Sequence, residues 1–208
     1  MSRPSATRSK DRATVAAERP MRRRGAELTR AIHEATLREL AETSFEELSF
    51  ESVASAAGTG KSVLYRRWST TAELVLAALK DDEVGLAKPV VPNTGTLRGD
   101  LIVMLSTLAQ VLDEPRGRAL WPLLVQRARH PELFQQIMDQ VSHPHRAALF
   151  ECIRGFADQG QVSPARATAR IAAVGPRLII AEYLETGSVS HDDVVSVVDE
   201  VLLPLLSP

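Results

Sequence analysis

The sequence predicts an all-α fold of about nine helices, in which a three-helix head carrying a helix-turn-helix precedes a larger helical body. Three observations predict it. Apolar residues recur at spacings of three and four along almost the whole chain after residue 25. No stretch alternates apolar and polar residues as a half-buried strand would. The breaker-rich segment Lys88-Pro-Val-Val-Pro-Asn-Thr-Gly divides a basic first part from an acidic remainder. At 208 residues with 44% apolar and 25% charged side chains, the chain has the composition of a globular protein with one large or two small cores.

Residues 1–24 carry Arg3, Arg8, Lys10, Arg12, Arg19 and the run Arg22, Arg23 and Arg24 among small polar residues, the make-up of a disordered basic arm. From Ala26, the positions Leu28, Ile32, Ala35, Leu37, Leu40 and Ala41 mark a helix of about 17 residues. Ser49 is placed to cap a short second helix, with Glu51 in its first turn and Gly58 at its end. After a turn of about three residues, Lys61 to Trp68 reads as a third helix. Thr70-Thr71 then starts a fourth, through Leu74, Leu76, Ala77 and Leu79. Residues 25–87 thus make the head with its connecting helix, and 94–208 the body.

In the body the helical patterns run from Leu97 to Leu112, Arg116 to Arg129, Pro131 to about Phe156, Pro164 to Thr186 and Asp192 to Leu206. The last of these is apolar on two faces. Val194, Val197, Val198, Val201, Leu202 and Leu205 form one, and Val195, Leu203 and Leu206 add to the other. A helix with two apolar faces requires two partners, its own core and a second subunit.

Charge sharpens the division. Residues 1–80 hold 14 Lys and Arg against 10 Asp and Glu, whereas residues 81–208 hold 11 against 16, although the whole chain is only −1. A basic head on an acidic body suits a nucleic-acid partner. Within the head, the segment from Ser49 to Trp68 puts a Gly-containing turn between two short helices, the layout that lets the second helix enter a major groove. Lys61, Arg66 and Arg67 then supply charge for phosphates, Ser62 and Tyr65 supply hydroxyls, and Leu64 and Trp68 face inward. The overlapping Gly-Thr-Gly60-Lys61-Ser62 imitates the end of a phosphate-binding loop. That loop also requires a glycine where Ser55 stands and a strand before it, so the nucleotide reading is set aside.

Through Ala-Ala-Gly58, Leu64-Tyr65-Arg66-Arg67-Trp68 and Ala72-Glu73-Leu74-Val75, the segment resembles the TetR (tetracycline-repressor-like) family of regulators. The resemblance implies a DNA-binding head, an all-helical body that binds a small ligand, and no cofactor. Carried over residue by residue, it implies DNA contacts by Ser49, Lys61, Ser62, Val63, Tyr65, Arg66, Arg67 and Thr71. Val63 is suited to a thymine methyl, and Thr71 stands where the family carries a phosphate-binding lysine.

The segment Gly175-Pro176 to Thr186-Gly187 resembles the penultimate helix of such bodies. It implies a homodimer through the last two helices and hence a near-palindromic double-stranded operator. Met104, Trp121, Leu124, Phe134, Met138, Phe150 and Tyr183 are the bulky side chains from which a ligand chamber would be built, with Arg177 and Glu182 as its polar orienters. The expected function is a DNA-binding regulator, a repressor released from its operator by a small molecule. The alternative is a helical small-molecule-binding or enzymatic bundle without DNA binding.

Several classes are set aside. No apolar run reaches the roughly 18 residues of a membrane span and the Arg-rich start lacks the apolar core of a secretory signal, so a cytoplasmic, nucleoid-associated location and no membrane partner are expected. Cys152 is alone, and His143-Pro-His145 offers two histidines without a third ligand, so no disulfide or metal is expected. No nucleophile with a base and no paired carboxylates suggest an enzyme.

Overall fold

The computed structural model describes residues 25–86 and 88–207; the expected basic arm, 1–24, lies outside the described residues. Thirteen α-helical segments and two π-helical stretches join into nine rods, and there is no strand among the described residues.

α1 (Ala26–Glu42) turns Ile32, Ala35, Leu37 and Leu40 into the first core. Its buried Thr36 satisfies its hydroxyl on the Ile32 carbonyl at 2.8 Å, as an uncompensated hydroxyl would be costly there. α2 (Phe50–Ala56), α3 (Lys61–Tyr65) and α4 (Thr71–Leu79) pack against α1 through Phe50, Val53, Leu64, Leu74, Val75 and Leu79. His33 of α1 is buried. Its ring sits against Trp68 at 5.7 Å between centroids and donates through Nδ1 to Asp81 beyond α4 at 2.7 Å.

The Pro-rich connection is pinned where it meets α5 (Leu97–Asp113). Thr96 caps the helix, and the buried Asp100 accepts from both the backbone N–H and the hydroxyl of Thr94 at 2.7 Å. α6 (Pro115–Arg118) and α7 (Leu120–Val125) follow, then α8 (Pro131–Ile137), which runs through a π stretch (Met138–Ser142) into α9 (His143–Asp158). α10 (Ala169–Ala172) and α11 (Val174–Thr186) form the eighth rod. α12 (His191–Ser196), a π stretch (Val197–Leu202) and α13 (Leu203–Leu206) form the ninth.

The first core is not confined to the head. Ala119, Leu123, Leu133, Ile137 and Val141 complete it from beyond the Pro-rich connection. Polar links run beside them: His145 donates to the Leu86 carbonyl at 2.6 Å, Arg116 to the Gly85 carbonyl at 3.1 Å, and Lys80 to Gln140 at 2.6 Å. The second core gathers α5, α9, α11 and the last rod around Leu101, Leu105, Ile153, Ile179, Val198 and Leu202. Arg98 clamps α5 to that rod with a two-pronged pair to Asp199 at 2.7 and 2.8 Å.

The element ends depart from the periodicity where prolines and turns intervene. The 116–129 helix breaks at Ala119 and ends at Val125, because the backbone turns at Gln126 ahead of His130-Pro131. The eighth rod starts at Ala169 and not Pro164, since residues 163–166 close a turn and Thr168 caps α10. Each π stretch ends two residues before a proline, Pro144 and Pro204. A wider turn accommodates a ring that clashes with the i−4 carbonyl and has no N–H to give it.

In the last rod this also corrects a face. An α-helix drifts by about 40° every four residues, which would carry Leu206 away from Val194. The π stretch offsets that drift, and Val194, Val198, Leu202 and Leu206 are all buried on one line.

Candidate nucleic-acid interface

Ser49 builds the start of the interface. Its side chain accepts from the Ser52 backbone N–H at 3.1 Å while Ser52 closes a reciprocal cap, so the Ser49 hydroxyl is engaged within α2. α2 stops at Gly58, whose φ of +65° lies in the left-handed region that glycine enters freely. Thr59 donates back to the Ala54 carbonyl at 2.9 Å, and the chain reverses into α3 within three residues. A helix precedes Gly58-Thr-Gly60-Lys61-Ser62 where a phosphate-binding loop would have a strand.

α3 is five residues long and is held by one fully buried anchor, Leu64, with Trp68 packed on the same core. Lys61, Ser62 and Tyr65 are left available. Lys61, Ser62, Tyr65, Arg66 and Arg67 are exposed, while Val63 and Thr71 are half-buried. Tyr65 is 57% exposed, yet its ring is fixed edge-on against the buried Phe50 at 4.7 Å and 89°. Such a ring presents its hydroxyl with little freedom left to lose on contact.

The cations are not equivalent. Lys61 pairs with Glu51 of α2, which raises the lysine above its usual value. Arg67 donates to the Thr29 hydroxyl of α1. Arg66 has no such tie among the described residues. Of the expected DNA-contact residues, Ser49 caps α2, Lys61, Ser62, Val63 and Tyr65 lie in α3, Arg66 and Arg67 follow it directly, and Thr71 opens α4. The roles of Glu51 and Thr29 were not foreseen; Glu51, ten residues before Lys61, was visible only as a helix-dipole charge.

The nine expected chamber residues do not converge on one cavity. Met138 packs on the first core, and Met104 and Phe150 pack on the second. Leu124, Phe134 and Glu182 are half-buried, and Arg177 is exposed. Trp121 and Tyr183 do meet. Their rings are parallel within 2° at 6.0 Å between centroids, and they line an open groove of about 540 Å³ with Ala41, Arg118, Gln126 and Leu184. Arg118 and Gln126 were missed, although Arg118, Trp121, Pro122 and Val125 fall at i, i+3, i+4 and i+7 of one rod.

No group of three or more His, Cys, Asp or Glu side chains among the described residues could hold a metal ion. His143 faces Asp139 at 3.2 Å and His145 is committed to Leu86. Burial pushes the Cys152 thiol up to about 11, with Asp100 adding to the effect, so it is a poor nucleophile. No helix among the described residues is long and apolar enough to cross a membrane.

Residues 32–78 match the family described as bacterial regulatory proteins, tetR family, and residues 91–201 match the tetracyclin repressor-like C-terminal domain. An uncharacterised HTH-type transcriptional regulator of Mycobacterium tuberculosis is 31% identical over 173 residues, 83% of this chain and 84% of that protein. The DNA-binding transcriptional repressor TetR of Mycobacteroides abscessus is 29% identical over 189 residues, covering 89% of this chain and 97% of its own. Among solved structures, a tetR-family regulator from Streptomyces coelicolor superposes with a TM-score of 0.62 at 19% identity, covering 88% of each chain. NalD, the secondary repressor of the MexAB-OprM multidrug efflux pump in Pseudomonas aeruginosa, superposes at 0.55 and 19%, covering 87% of this chain and 96% of its own.

Proposed function

The chain belongs to the tetR family of bacterial regulatory proteins and is a DNA-binding transcriptional regulator, and from that premise we propose that it is a cytoplasmic repressor released from its operator by a small molecule, with no reaction of its own. The observation that carries the reading is the presentation of α3. One buried anchor, Leu64, leaves Lys61, Ser62, Tyr65, Arg66 and Arg67 turned outward from a rigid base. Tyr65, Ser62 and Val63 face base edges, Arg66 and Arg67 face phosphates, Lys61 joins them once it leaves Glu51, and Ser49 and Thr71 touch the flanking backbone.

Regulators of this family bind operator DNA and dimerise. A five-residue reading helix spans too few bases to specify a site alone, and a two-fold dimer doubles the contacts on a near-palindrome. The dimer surface of this reading is the outer face of α11, where Leu178 and Leu184 are 36% and 63% exposed, together with the half-buried Val195 and Val201 of the last rod. Ligand bound between head and body favours a dimer whose α3 pair no longer matches successive major grooves. The first core supports such coupling, because α1 and α4 share it with residues of α7, α8 and the π stretch after α8.

Selection of binding sites from random duplex DNA with the purified chain tests the reading. A near-palindromic sequence enriched and bound saturably is expected. Enrichment of no sequence would overturn it and favour the helical-bundle alternative.

A further inference from the structure

The exposed face of α11 is self-complementary about Ala181. Arg177, Leu178, Ala181, Leu184 and Glu185 are all exposed, and α11 runs unbroken from Val174 to Thr186. At about 100° and 1.5 Å per residue, all five lie within about 60° of the Ala181 direction. Leu178 and Leu184 stand three residues to either side of Ala181, and Arg177 and Glu185 stand four residues to either side. The inner pair is alike and apolar, and the outer pair is opposite in charge. Neither the Arg177 nor the Glu185 side chain has an ion pair or hydrogen bond among the described residues.

A two-fold interface sets a surface against a second copy of itself. With the axis parallel to α11, Arg177 faces the partner's Arg177 and Glu185 the partner's Glu185, which opposes like charges at both levels. With the axis perpendicular to α11 at Ala181, the two helices run antiparallel. Arg177 then stands at the level of the partner's Glu185, about 6 Å from the centre, and Leu178 at the level of the partner's Leu184. Ala181 meets the partner's Ala181, and so small a side chain lets the backbones come close. In the commonest class of helix packing the i±4 rows of the two helices align. Arg177, Ala181 and Glu185 form such a row, and it lies along the partner's row in reverse order.

The last rod offers no such centre. Its exposed carboxylates, Asp192 and Glu200, are both negative, and residues 191–206 contain no Lys or Arg to meet them.

We propose that two copies of this chain pair antiparallel across α11 on a two-fold axis at Ala181, with Arg177 of each protomer bonded to the partner's Glu185. This rests on reading the chain as a dimeric regulator, and it supplies the register and the charges by which the chain selects its own copy. Leu184 also lines the groove under Trp121 and Tyr183, as does Ala41 of α1, so the crossing adjoins a groove that reaches the head.

Sedimentation equilibrium of the full chain near 0.1 M salt, with charge-reversed variants, tests the register. Because of the two-fold axis, one substitution turns two attractions into two repulsions. Arg177→Glu and Glu185→Arg should therefore each dimerise at least tenfold more weakly than wild type. Mixed in equal amounts, the two variants should form a heterodimer close to wild type in affinity, since every level again pairs opposite charges. A chain carrying both substitutions should recover the homodimer. Chains that had merely lost their fold would show neither recovery.

Single variants that dimerise like wild type, or weakened ones that mixing does not rescue, overturn the register and leave a wild-type dimer in place. A wild type that is monomeric at micromolar concentration overturns the dimeric reading itself, and the proposal with it.

Discussion

Nδ1 of His33 lies 2.7 Å from Oδ2 of Asp81, and the same buried ring packs against Trp68, three residues beyond α3. Asp81 also accepts from the backbone N–H groups of Glu83 and Val84 at 2.9 and 3.1 Å. One carboxylate thus joins α1, the end of α4 and the turn beyond it. Removing it leaves the His33 ring buried with neither nitrogen satisfied, because Nε2 has no partner.

Asp81→Ala is accordingly expected to lower stability at pH 7 by about 1–3 kcal/mol, the cost of stranding a buried group. Burial by itself would raise the Asp81 carboxyl, but the Glu83 N–H, His33 and the Val84 N–H outweigh it and hold the group below its ordinary value. A depressed folded pKa contributes stability that is complete above the unfolded value of about 4 and disappears as pH falls through the folded one. Denaturant titrations should therefore show the gap between wild type and Asp81→Ala closing below about pH 4. A gap that stays constant from pH 7 to pH 3 would show that the carboxylate charge is not what holds the turn.

In the proposed DNA complex, Glu51 competes with phosphate for Lys61. Before Lys61 can reach a phosphate it must leave this ion pair, and the freed carboxylate then stands near the same backbone. Glu51→Gln should tighten operator binding roughly three- to tenfold near 0.1 M salt and steepen the dependence of log affinity on log salt by about one phosphate contact. Lys61→Ala should then cost more in the Glu51→Gln background than in wild type. Equal cost in both backgrounds, measured by fluorescence anisotropy, would mean that Glu51 does not compete for Lys61, and no cost in either would mean that Lys61 does not touch DNA.

The turn between α2 and α3 depends on backbone freedom and not on space. A Cβ added at Gly58 would meet no atom within 4 Å, but φ there is +65°. Gly58→Ala is expected to cost about 1–2 kcal/mol, and Gly58→Asn less, since asparagine tolerates the left-handed region better. Equal thermal midpoints for Gly58→Ala and wild type would show that the turn relaxes to another conformation.

Two glycines inside helices should respond in opposite directions. At Gly175 of α11 a Cβ would lie 2.8 Å from Leu202 Cδ1 and 3.1 Å from Leu105 Cδ1, both side chains being fully buried and unable to retreat. Gly175→Ala should destabilise by about 1–3 kcal/mol. At Gly155 of α9 a Cβ meets nothing within 4 Å, and Gly155→Ala should stabilise by about 0.5–1 kcal/mol through helix propensity. Thermal unfolding of the pair reads both signs, and a Gly175→Ala that stabilises would contradict the packing of α11 against α5 and the last rod.

What was legible in the sequence is what local chemistry writes. The 3.6-residue period of α1, the Ser49 cap, the Gly58 stop and the inward Leu64 each depend on residues within a few positions. Long-range packing was not legible. Nothing near Leu123 or Ile137 says that these residues close the core under the head, and Trp121 meets Tyr183 across 62 residues of chain. Leu206 was placed on the wrong face because a uniform 3.6 period was extended through Pro204, whereas the π stretch before it resets the phase. For the same reason the chamber residues were drawn by size. Arg118 and Gln126 were missed because only the folded course of α6 and α7 shows that they line the groove with Trp121.

The central claim is that α3 reads DNA, and Tyr65 tests it most directly, being exposed, braced by Phe50 and outside the core. The measurement is the affinity of wild type and Tyr65→Ala for the selected operator and for an unrelated duplex at one salt concentration, with thermal midpoints recorded alongside. The account predicts a tenfold or greater loss on the operator, little change on the unrelated duplex and an unfolding midpoint within a few degrees of wild type. An operator affinity unchanged by Tyr65→Ala, or lost equally on both duplexes, would contradict it.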